Sequence, residues 1–142
     1  MENELITIED FEKIRDIINR IYSYIGKAEN SLSRARLFCI FDFFENTSLI
    51  KYIKYYFINS SKTYISTINL LLSDLQREIK GKSFSVNLDI GFIVSYLDFF
   101  NNKFLPNLYV KSQLDSALTK IKSLGGSLRN IENKLSEKTK NN

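Results

Sequence analysis

The chain has 142 residues, 44% of them hydrophobic and 25% charged, with a formal net charge of +4, which places it in the ordinary soluble globular class as one domain, residues 1–142. It holds no histidine, one cysteine, one proline and five glycines. That composition excludes imidazole-based triads, histidine metal ligands, Cys-rich zinc sites and an internal disulfide, and so few chain breakers suit long helices better than a turn-rich β-sandwich.

Thr7 reads as the N-cap of a first helix running to about Ala28, with Glu9, Asp10 and Glu12 in its first turns, where the helix dipole favours negative charge. Phe11, Ile14, Ile18, Ile21 and Ile25 form its apolar stripe, and Gly26 and Asn30 mark its end. A second helix is expected over Ser33–Glu45. Leu37, Phe38, Ile40, Phe41, Phe43 and Phe44 leave it little polar face, so it should sit centrally. Thr47 caps a third helix carrying Leu49, Ile50, Tyr52, Ile53, Tyr56 and Phe57; Asn59-Ser60-Ser61 interrupts it, and a fourth continues to about Lys80. Ser83–Leu88 alternates like a strand but has no evident partner, and reads as an extended linker. Asn87 then caps an aromatic helix to about Phe104, the second element expected at the centre.

The last helix spans Leu108–Lys138. Leu114, Ile121, Leu128 and Leu135 recur every seven residues, with Ala117, Leu124 and Ile131 at the complementary offset. Such a seam needs another helix to cover it. Gly125-Gly126 each cost a helix roughly 1 kcal/mol relative to Ala, yet the heptad phase passes through them unbroken, which favours a continuous helix. Glu137–Asn142 should fray. The expected fold is therefore all-α, a bundle of five or six helices with a long amphipathic C-terminal helix.

Charge is uneven along the chain. Residues 1–30 hold seven acidic and four basic side chains, and residues 101–142 three acidic and eight basic. The simplest account packs the two terminal helices antiparallel with opposite charges along the seam. The sharper account is a surface for RNA or single-stranded DNA. Its contacts would be Arg34, Arg36, Lys51, Lys54 and Tyr55 with Lys111, Lys120, Lys122, Arg129 and Lys134. Lys120, Arg129 and Lys134 do not share one helical face, and tyrosines at helical spacing are more often half-buried core residues, which weighs against it.

Catalytic chemistry finds little support. Cys39 lies between Phe38 and Ile40, where a buried inert thiol is expected. Glu9, Glu12 and Asp16 on one face read as solvated rather than as a cation site. No phosphate-cradling glycine motif occurs, and nothing asks for a cofactor.

The functional expectation is a non-enzymatic interaction subunit, a homo-oligomer or a member of a larger complex. Its partner interface would be Leu114, Ala117, Leu118, Ile121, Leu124, Leu128, Ile131 and Leu135, because that stripe is long for an intramolecular seam. A small basic subunit binding RNA or single-stranded DNA is the alternative. No stretch reaches the roughly 18–20 uncharged apolar residues of a membrane span. The acidic start is the wrong charge for a secretory signal, so no membrane is expected as partner and a cytoplasmic location is.

Overall fold

The structure, a computed structural model, describes residues 7–80, 91–99 and 105–140. They form four helices: α1 Ile8–Phe44, α2 Ser48–Ile79, α3 Gly91–Phe99 and α4 Asn107–Lys140. The all-α expectation holds, with no strand among the described residues. The count of five or six does not. The first two expected helices are one 37-residue helix and the next two one 32-residue helix. α4 continues to Lys140, past the point where fraying was expected. The Ser83–Leu88 linker and the Asn87 cap lie outside the described residues.

The physical reason for the fusion is the heptad spacing of the buried positions. In α1 they are Ile14, Ile18, Ile21, Ile25, Ala28, Leu32, Ala35, Cys39 and Asp42, with Ser31 beside them. In α2 they are Lys54, Ile58, Ser61, Ile65, Ile68, Leu72, Leu75 and Ile79. In α4 they are Val110, Leu114, Ala117, Ile121, Leu124, Leu128, Ile131 and Leu135. Each set alternates steps of four and three without a slip, so one seam continues across every expected break. Gly26 and Asn59-Ser60 sit on outward or flanking positions, where they do not interrupt that seam.

Local signals close the ends. The Thr7 hydroxyl accepts from the Asp10 amide and Asp10 returns a bond to the Thr7 amide, a reciprocal capping box. Thr47 accepts from the Ile50 amide and starts α2 after the short Glu45–Thr47 connection.

α1 is the central helix of the bundle and packs along both α2 and α4. Both neighbours run antiparallel to it. Phe38 stacks on Phe57 and Asp42 meets Lys54 across α1–α2, while Tyr22 meets Glu132 and Arg36 meets Asp115 across α1–α4. The terminal helices are antiparallel, as the simpler charge account requires, but the Arg36–Asp115 pair across them has the opposite polarity, with the cation on α1 and the acid on α4. α3 bridges α2 and α4, with Ile93 and Tyr96 buried and the Tyr96 hydroxyl hydrogen-bonded to Ser61.

Candidate interaction surface at the α1–α2 end

The α4 seam was expected to meet a partner, and the chain covers it by itself. Leu114, Ile121 and Leu128 are fully buried, Leu135 is 1% exposed, and Ala117, Leu124 and Ile131 are 3–4% exposed. Leu118 is half-buried against the same core. The helix that this seam needed is α1, so these residues are not on the surface. The seams of α2 and α4 both close on α1.

What the fold leaves uncovered is elsewhere. The last turns of α1 expose Leu37, Phe41, Phe43 and Phe44, the last at 83%. The first turns of α2 expose Leu49, Tyr52 and Tyr56, with Tyr52 at 72%. Leu108 and Tyr109 at the start of α4 are exposed beside them. The antiparallel packing brings these three segments to one end of the bundle. The expectation that helix 33–45 is central is therefore wrong for its outer face, as is the reading of Tyr52 and Tyr56 as core residues. Their positions lie two residues off the buried seam. A helix has room for only one face inside, and the surplus aromatics fall on the other.

Two of these side chains, Phe41 and Tyr56, are joined by a row of ring contacts. Phe41 meets Phe38 edge-on at 5.5 Å, Phe38 stacks on Phe57 at 6.0 Å, and Phe57 meets Tyr56 edge-on at 5.3 Å. That row crosses from α1 to α2. Taking roughly 150–250 Å² for a whole aromatic side chain, the nine exposed residues present on the order of 1,000 Å².

Beneath the surface lies a buried polar cluster. Lys54 Nζ donates to Asp42 Oδ2 at 2.8 Å and to Asn107 Oδ1 at 3.0 Å, and the Asn107 amide donates to the Cys39 carbonyl at 2.9 Å. The Lys54 and Asp42 side chains are only 4% and 5% exposed. The cluster ties the ends of α1, α2 and α4 together in one register. A buried ion pair among alternative apolar layers is a known register device. The Cys39 thiol sits 2.9 Å from Asn107 Oδ1, and burial pushes it up from its ordinary pKa, against the lowering effect of Lys54. It is a buried thiol, as expected, and its burial disfavours the thiolate.

The cations proposed for nucleic acid are dispersed. Lys54 is consumed inside, and Arg36 and Lys111 both bind Asp115. Arg34 is exposed but held by Asn30 and by the Phe57 ring. Tyr55 is half-buried, with Lys54 5.0 Å from its ring centre. Lys51 is exposed. On α4, Lys122 and Arg129 border the groove shared with Tyr22 and Gly26 of α1, whereas Lys120 borders the depression shared with Ser95 and Tyr96 of α3. Lys134 is exposed one turn before the described side chains end. No single basic face collects them.

Among the described residues no group of His, Cys, Asp or Glu could hold a metal ion, and no helix is long and apolar enough to cross a membrane. Asp16, one of the acids considered for a cation, pairs with Arg20 instead. The exposed aromatic end was missed in the sequence because the same residues were assigned to the core. The signal available was their offset from the heptad seam. Comparison of the chain with protein-family models, with curated proteins and with solved structures found no match.

Proposed function

We propose that this chain is a non-enzymatic interaction subunit that joins a second protein through its exposed aromatic end. The observation that carries the reading is the exposed apolar surface of Phe41, Phe44, Leu49, Tyr52 and Tyr56 at one end of the bundle. A surface of roughly 800 Å² per partner is enough for a stable complex, and exposed aromatics are the side chains that dominate such contacts. The C-terminal seam contributes by holding the scaffold rigid.

Site-specific photo-crosslinking in the source cells tests this. A photoreactive phenylalanine analogue at Phe44 should give a discrete protein adduct, and the same analogue at exposed Lys13 should not. Equal, diffuse labelling from both positions would contradict the reading. The RNA or DNA alternative has less support, because its cations are paired or divided between the two flanks of α4. Single-strand binding that weakens steeply between two salt concentrations would favour it.

A further inference from the structure

The buried polar cluster is one donor short. The Asp42 side chain is only 5% exposed, and its Oδ2 accepts from Lys54 Nζ. Its Oδ1 is buried too and meets no donor among the described residues. The neighbouring groups are engaged elsewhere. The Asn107 amide donates to the Cys39 carbonyl, and the Asn107 side-chain oxygen accepts from Lys54 and from the Cys39 thiol. Buried polar atoms are nearly always paired, so a lone carboxylate oxygen points to a donor from outside the chain.

Asp42 is also part of the wall of a depression of about 560 Å³, which it lines together with Lys54 and Asn107. That volume lies within the roughly 300–1,000 Å³ of small-ligand sites and far exceeds the about 30 Å³ share of one water. Phe43 and Leu105 supply apolar wall. Lys51, exposed and without an ion pair among the described residues, supplies a cation.

Charge selects the class of ligand. Lys54 already cancels Asp42 inside, and Lys51 leaves the depression with positive charge in excess. An ammonium at Asp42 Oδ1 would enter against both lysines. An anion would suit Lys51, but it would face the buried carboxylate and bring no donor to Oδ1. A neutral group that carries both an N–H and a carbonyl escapes both conflicts. We infer that this depression binds a neutral primary amide, its N–H donated to Asp42 Oδ1 and its carbonyl turned toward Lys51. Each end then makes a hydrogen bond to a charged group, which is the stronger kind. Two sources carry this chemistry. One is a free small amide, and the other is an Asn or Gln side chain of a docking protein, since Phe43 also belongs to the exposed aromatic end.

Titration of the full chain with acetamide, methylammonium chloride and sodium acetate tests the site. Heteronuclear NMR follows the side-chain amide resonances of Asn107 and Asn46, which both line the depression. Acetamide should shift both along a saturable curve at millimolar concentration. Each ion should bind at least about tenfold more weakly, the factor for losing one hydrogen bond to a charged group. Asp42→Leu with Lys54→Met should abolish the saturable response while the helical circular-dichroism signal stays. Lys51→Ala, an exposed change that leaves the core intact, should weaken acetamide by about two- to fivefold. Phe41→Ser with Tyr52→Ser should leave acetamide binding unchanged, which separates this site from the docking surface. N-acetyl-glutamine methylamide distinguishes the sources: binding tighter than acetamide assigns the amide to a protein side chain, and weaker binding assigns it to a free small molecule. Tighter binding of methylammonium, or unchanged acetamide binding in the Lys51→Ala or the Asp42/Lys54 variant, would overturn the inference. Linear shifts that never saturate with any probe would also overturn it, leaving Oδ1 to a water alone.

Discussion

Asp42, Lys54 and Asn107 show how few polar atoms fix an end of this bundle. Lys54 and Asp42 occupy seam positions that elsewhere hold mostly Ile or Leu, and each is acceptable only because the other is there. Lys54→Met alone leaves a buried carboxylate without its cation, and should lower unfolding free energy by about 3–5 kcal/mol. Lys54→Met combined with Asp42→Leu should recover most of that loss in urea titrations. Cys39, fully buried beside them, should react with a thiol reagent only at the rate of unfolding, and fast labelling in native buffer would contradict its placement. Asp115 carries a pH dependence. Burial raises its pKa, but the hydrogen bonds from Lys111 and Arg36 outweigh that and hold the carboxyl below the usual range. A pKa depressed in the folded state stabilises above the unfolded value of about 3.9 and is lost as pH falls through the folded one. Wild type should therefore lose more stability than Asp115→Asn between about pH 5 and pH 2. The effect is modest, because the Asp115 side chain is 41% exposed and screened by solvent.

At the scale of elements, the three long helices share one repeat and differ in how visibly they carry it. α4 fills its seam mostly with Leu and Ile, so its course and its apolar face were readable from residue spacing, while a break at Gly125-Gly126 stood nearly as open as the continuous helix that forms. α1 and α2 place Ala28, Ala35, Cys39 and Asp42, and Lys54 and Ser61, at the same kind of position. Gly26 with Asn30, and Asn59-Ser60-Ser61, read as punctuation, and two long helices were divided into four. The exposed Phe and Tyr residues were drawn into the core by the same habit. Thr7 and Thr47 were readable because a cap depends only on neighbours within one turn. The glycines of α4 give a test. An added Cβ at Gly125 or Gly126 would meet nothing within 4 Å. Gly125→Ala and Gly126→Ala should each raise stability by about 0.5–1 kcal/mol through the unfolded chain's lost freedom. Destabilisation by either would mean that α4 is not a continuous helix there.

At the scale of the molecule, the described long helices pack antiparallel along shared seams and leave a group of aromatic side chains exposed at one end. α1 spans about 55 Å at 1.5 Å per residue, so the aromatic end stands far from the capped, acidic start of α1. The long seams supply stability, and the surplus aromatics supply a surface that stability does not need. The pairing of interior and exterior apolar residues was not legible from composition, because both draw on the same residue types. Only the packing of α1 between α2 and α4 separates them. That separation is tested most directly by thermal unfolding of two double variants, followed by circular dichroism. Ile121→Asp with Leu128→Asp should abolish cooperative unfolding, since both side chains are fully buried within one chain. Phe41→Asp with Tyr52→Asp should keep the helical signal and melt within a few degrees of wild type, since a change below about 1 kcal/mol shifts Tm by only about 2–8 °C. A folded Ile121/Leu128 variant, or an unfolded Phe41/Tyr52 variant, would contradict the account.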